Sequence, residues 1–164
     1  MKLLFIRHSI ALEREDYSGD DLLRPLTQEG CDVAEDFFSK LQKIYKNIDL
    51  IISSKATRGL ETSRILNKYF KDSVYKVSPL LNPGMKIKEF RLLFDSLEEK
   101  YDSIAFVGHE PDFSHIISYI TTCAKGDILI KLKKPSCVEI ELFDHSQLVG
   151  ELRNIISPRI LKKC

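Results

Sequence analysis

KLLFIRHS, Lys2 to Ser9, is the stretch on which the fold of this chain turns. Leu3 to Ile6 are apolar without a break, so Lys2 to Ile6 reads as a short buried strand rather than a half-exposed one. The strand then runs into Arg7 and His8, side chains that are costly to bury unless something meets them there. The rest of the sequence has to say what that something is.

Downstream, short apolar runs alternate with stretches of helical period. After the polar loop ALEREDYSGDD, Thr27 can cap a helix opened by LTQEG, with Phe37, Leu41, Ile44 and Tyr45 on one face. DLIIS, 49–53, is a second strand. A helix follows, capped by Ser53 or Ser54 and anchored by Leu60, Leu66, Tyr69 and Phe70. A weaker strand, Val74 to Val77, leads through turn residues to a helix from about Lys86 to Lys100, and SIAFV, 103–107, is a further strand. Pro111 suits the first position of a helix whose apolar face is Phe113, Ile116, Ile117 and Ile120. SCVEIELFDHSQLVGELRN alternates apolar and polar residues around an Asp-His-Ser turn, as an antiparallel hairpin does. This order predicts an α/β three-layer sandwich. Its central sheet is mostly parallel, with helices on both faces and a C-terminal antiparallel hairpin.

At 164 residues the chain is expected to be one domain, residues 1–164, with a real core. Lys and Arg number 25 against 24 Asp and Glu, so nothing suggests a nucleic-acid or membrane surface, and any anion site must be local. Cys31, Cys123, Cys137 and Cys164 lack CxxC spacing and the four histidines are scattered, which gives a zinc site no support; free thiols in a reducing cytosol are expected. No run is long enough for a signal peptide or membrane span. The expectation is a cytoplasmic, monomeric protein without cofactor or metal.

In sheets of this kind ligands bind at the carboxyl ends of the strands. The first strand ends in Arg7-His8, the second in Ser53-Ser54 with Arg58 in the following helical turn, and the 103–107 strand in Gly108-His109. Two arginines and two histidines therefore reach one sheet edge, where helix N-termini also aim free N–H groups. An anion pocket follows, and phosphate suits it: each Arg offers a planar fork, and an imidazole can be nucleophile or donor. There is no Walker loop, GxGxxG or GxSxG, and no cysteine-phosphatase loop. His115 falls off its helix's apolar face and His145 sits in a hairpin turn, so neither is expected to do chemistry.

Arg7-His8-Ser9 resembles the RHG motif of the histidine phosphatase superfamily, the phosphoglycerate mutase-like group. Ser53-Ser54 through Arg58 to Thr62 resembles its second motif, and Val107-Gly108-His109 its third. The segment RPLTQEG, Arg24 to Gly30, and the short chain are most similar to SixA-type phosphohistidine phosphatases; the likeness runs over about residues 2 to 123. It implies that His8 attacks phosphorus and is transiently phosphorylated. Arg7 and Arg58 would hold the phosphoryl oxygens, His109 would donate to them, and water would complete the reaction without metal. Arg24, Ser9 and Ser54 become candidate substrate-binding residues, with a structural salt bridge the equal alternative for Arg24.

Two departures matter. Ser9 stands where the motif has Gly. In the stretch PLLNPGMKIKEF, where larger members place an acidic residue ahead of a glycine-rich segment, the one carboxylate is Glu89, inside a predicted helix; Glu110 adjoins His109 but suits its helix N-terminus. An alkoxide leaving group needs a general acid, whereas imidazole can leave as a neutral ring. The expected substrate is accordingly a phosphorylated histidine of a phosphotransfer or phosphocarrier protein. A small phosphomonoester is the alternative, and a non-catalytic phosphate-binding module a third reading.

Overall fold

The computed structural model describes residues 1–97, 100–124, 126 and 128–161. Cys164 and the Glu98-Glu99 end of the expected third helix lie outside the described residues. The first strand, β1 (Lys2–Arg7), is central and fully covered at Leu3 to Ile6, as its unbroken apolar run requires. It pairs in parallel with β4 (Ser103–Gly108) and antiparallel with β5 (Ser136–Asp144). Adding β2 (Leu50–Ser53), β3 (Val74–Val77) and β6 (Val149–Ile156) gives one sheet of order β3-β2-β4-β1-β5-β6. The first four of these strands are parallel, and the β5-β6 hairpin is antiparallel.

Alternate residues of β1 feed two cores. Leu4 and Ile6 pack with Phe37, Phe38 and Leu41 of α1 (Gln28–Ile44) and with Ile65 and Leu66 of α2 (Thr57–Tyr69). Leu3 and Phe5 face Phe90, Leu93 and Phe94 of α3 (Ile87–Asp95), and Phe113, Ile116, Ile117 and Ile120 of α4 (Asp112–Thr122). Leu161 of the short α5 (Pro158–Leu161) closes the first core. The sequence expectation of a three-layer α/β sandwich is met.

Local expectations fare unevenly. Thr27 caps α1, its hydroxyl accepting from Gly30 N at 2.9 Å. Ile44 is exposed, because Tyr45 one position on turns inward and donates to Glu139 at 2.7 Å. Neither Ser53 nor Ser54 caps α2, which starts after Ala56. The reason is that Ser53 ends β2 and the Ser54 amide still bonds the sheet at Val107 O. Pro111 stands one residue before α4 rather than at its first position, and α3 stops at Asp95, where Ser96 turns its amide back onto Leu93 O.

Phe5 sits at the crossing of this second core, its ring 5.3 to 5.6 Å from those of Phe90, Phe106 and Phe113. Truncation to alanine removes partners from three elements at once. Phe5→Ala is expected to lose about 3–5 kcal/mol in urea unfolding, against less than about 1.5 kcal/mol for Phe5→Leu.

Candidate active site

With helices on both faces, the sheet is open to a ligand only at its edges, and β2, β4 and β1 are neighbours. Their carboxyl ends bring Ser54, His109 and His8 together. The ladder continues past the strands through His8 N to Gly108 O at 3.0 Å, so the side chains that follow are positioned by the sheet itself. The two imidazole rings lie 5.0 Å apart, centre to centre, and inclined at 52°.

His8 is 5% exposed and its Nδ1 meets the carbonyl of Ser9 at 2.7 Å. A carbonyl can only accept, so Nδ1 carries the proton. Burial pushes the ring's pKa down to about 3; the Ser9 carbonyl opposes this, and the charges of Arg58, Arg7 and Lys134 reinforce it. A neutral ring protonated on Nδ1 leaves a lone pair on Nε2. His109 is lowered to about 2 by burial, then by His8 and the charges of Arg58 and Arg7. Its Nε2 lies 2.9 Å from the Ser54 hydroxyl. That contact depends on Gly59 in the first turn of α2, where any Cβ would come within 2.3 Å of Ser54 Oγ.

The arginines stand on either side. Arg7 donates through NH1 to the Leu132 carbonyl. Arg58, buried in the first turn of α2, gives NH1 to the Asp21 carbonyl at 2.6 Å and NH2 to the Asp21 carboxylate at 3.0 Å. Asp21 opens the 3-10 turn Asp21–Leu23. Burial opposes its charge, but the hydrogen bond from Arg24 and the charge of Arg58 outweigh that and hold the carboxyl below its ordinary range. Arg24 pairs with the same carboxylate through Nε at 2.9 Å and also bonds the Leu12 carbonyl, which is the salt-bridge alternative read from the sequence.

Ser9 has a different place from the others. Its hydroxyl donates to Gly30 O at 2.7 Å, and its amide to Thr62 Oγ1 at 3.0 Å, so it joins β1 to α1 and α2. Its carbonyl is the part that touches His8. Glu110 accepts from Ser114 Oγ at 2.8 Å and from the amides of Ser114 and Leu132, so it serves the start of α4. Glu89 accepts from Lys86 N at 2.9 Å at the start of α3.

Three residues at this edge escape sequence reasoning. Asp21 left a trace, a carboxylate three residues before Arg24 in GDDLLRP. Lys134, whose charge reaches His8 and Arg7, is the last of the basic run KLKK. Ser136 is paired with Arg7 across β1 and β5, a neighbour only the register reveals. Among the described residues five buried side-chain polar atoms have no partner, and four belong here: Arg7 Nε, Arg58 Nε, His109 Nδ1 and Ser136 Oγ. The described residues contain no cluster of three or more His, Cys, Asp or Glu able to hold a metal ion, and among them no helix is long and apolar enough to cross a membrane.

The histidines make stability depend on pH. In the unfolded chain they take up protons below about 6.5; in the folded chain His8 stays neutral down to about 3. Protons therefore favour unfolding across that window, and stability present above pH 6.5 is lost as pH falls. Between pH 7 and 5 the wild type should lose about 2 kcal/mol more than His8→Asn in urea titrations. Equal losses would show that His8 is not held neutral.

No protein-family model matches the chain. An uncharacterised protein of Picosynechococcus is 31% identical over 139 residues, covering 84% of this chain and 83% of its own length. Among solved structures, the protein histidine phosphatase SixA complexed with tungstate is similar at TM-score 0.83 and 22% identity, covering 98% of this chain and 99% of its own. The alpha-ribazole phosphatase of Shigella flexneri is similar at TM-score 0.73 and 18% identity, covering 96% and 97%. The chain thus belongs to one family with the Picosynechococcus protein, and its fold is that of the histidine phosphatase superfamily, the phosphoglycerate mutase-like group.

Proposed function

We propose that the protein is a phosphohistidine phosphatase that removes phosphate from a histidine-containing protein by way of a phosphoryl group on His8. The observation that carries this reading is the His8 hydrogen bond to the Ser9 carbonyl in a neutral ring, because it leaves Nε2 as a free nucleophile. Arg7 Nε, Arg58 Nε and His109 Nδ1, buried without a partner among the described residues, support the same reading, because buried polar groups are ordinarily paired.

In the first step Nε2 attacks phosphorus. The P–N bond to the leaving imidazole breaks with its electron pair, and that ring departs neutral because its other nitrogen carries a proton. In the second step water attacks the phosphoryl group, the P–Nε2 electrons return to His8, and the water proton passes to phosphate or solvent. Arg7 and Arg58 neutralise the oxygens through both steps. If the Ser54 hydroxyl donates to Nε2 of His109, then Nδ1 is its donor to the phosphoryl oxygen.

The two carboxylates that the sequence offered as possible general acids are engaged elsewhere, which favours P–N over P–O substrates. Glu110 is occupied by Ser114 and Leu132, and Glu89 by the start of its own helix. The small-phosphomonoester reading draws on one observation, the similarity of the fold to an alpha-ribazole phosphatase. Turnover of free phosphohistidine against an alkyl phosphomonoester such as phosphoserine separates the two. The expected preference in kcat/KM for phosphohistidine is at least about 100-fold, the range a general acid is worth. A preference for phosphoserine would sink the reading. A module that only binds would show no turnover at all. Arg58→Ala should lower kcat about 100-fold or more.

A further inference from the structure

Residues 128–134, ILIKLKK, run between α4 and β5 without regular secondary structure, yet they are stitched down in a strand-like rhythm. Ile128 N donates to Ser118 Oγ at 2.8 Å, Ile130 O accepts from Ser114 Oγ at 3.0 Å, and Leu132 N donates to Glu110 Oε1 at 3.2 Å. The Leu132 carbonyl then takes the bond from Arg7. The residues between them, Leu129, Lys131 and Lys133, are exposed, and Leu129 is 100% exposed. This strap lies along α4 and ends on an arginine of the candidate site.

Between strap and helix lies a cavity of about 470 Å³, lined by Arg7, His115, Ile128, Leu129 and Lys131 and by Glu110, whose carboxylate is taken up by Ser114 and the Leu132 amide. Arg7, the last residue of β1, is among its lining residues. The charge is local: residues 128–134 carry three lysines and no acid in a chain of net charge +1. Lys134 is close enough to the site for its charge to bear on His8 and Arg7. A strap that is apolar at one end, cationic along its exposed side and continuous with the anion site complements a partner of opposite charge.

We propose that the strap and its groove are the docking surface for an acidic segment of the phosphohistidine-bearing protein. Carboxylates of that segment would meet Lys131 and Lys133, and an apolar side chain would rest on Ile128 and Leu129. The proposal rests on the phosphohistidine reading above and names how its substrate is chosen. Rim charges of this kind act through encounter and salt dependence, leaving the chemistry at His8 alone.

The test uses two synthetic peptides of equal length with one phosphohistidine each, one flanked by Asp, Glu and Leu, the other by Lys. Free phosphohistidine is the reference. The wild type should favour the acidic peptide about tenfold in kcat/KM at low salt, with the preference shrinking as salt rises. The double variant Lys131→Glu/Lys133→Glu should reverse the preference while turning over free phosphohistidine at the wild-type rate. Equal use of both peptides by the wild type, or an unchanged preference in the variant, would overturn the docking proposal alone. Failure to hydrolyse free phosphohistidine and both peptides would overturn the functional reading beneath it. A dimer in sedimentation that Leu129→Asp dissolves would assign the strap to a second copy and also overturn the proposal.

Discussion

The hydrogen bond from His8 Nδ1 to the Ser9 carbonyl is the contact on which the rest of the site is built. It selects one tautomer and aims the other nitrogen away from the backbone. The carbonyl can do this only if Ser9 is held still, and two bonds hold it: the hydroxyl to Gly30 O on α1 and the amide to Thr62 on α2. Thr62 in turn donates to the Arg58 carbonyl at 2.7 Å, so one network joins the end of β1 to the helix that carries Arg58. Ser in place of the motif's Gly is thus an added tie to α1. The tie is short because α1 approaches closely: a Cβ on Gly30 would come within 1.9 Å of Ile10 O.

The electrostatics follow from burial. Two imidazoles, two arginines and a lysine share a small region at the sheet edge, and the desolvated rings respond by staying neutral. Positive charge on the arginines is then what remains for an anion to meet. Asp21 offsets part of it through Arg58 and Arg24, but it occupies only two of the five donor hydrogens of Arg58. Arg7 Nε, Arg58 Nε and His109 Nδ1 are buried at this edge with no hydrogen-bond partner among the described residues. Removing Asp21 would leave Arg58 with less to orient it, so its role belongs to positioning as much as to charge balance.

Much of this was legible in the sequence because it depends on local pattern. The unbroken apolar run of β1, the alternation of the β5-β6 hairpin and the i, i+3, i+4 face of α4 each report their own burial, and the strand ends named Arg7, His8, Ser54 and His109 as neighbours once the sheet was parallel. What escaped depends on contacts between distant residues. Ser53 and Ser54 have ideal capping chemistry, yet the sheet claims the backbone of one and His109 the hydroxyl of the other. Asp21 meets Arg58 across 37 positions and Ser136 meets Arg7 through register alone. Neither has a spacing that a single sequence can show.

The chemistry assigned to His8 is tested most directly by trapping what it carries. Radiolabelled phosphoramidate would be mixed with the protein and quenched in alkali within one turnover, and the labelled peptide mapped. The account predicts acid-labile phosphate on His8, absent from His8→Ala. Turnover with no label on His8, or with label on another residue, would contradict it.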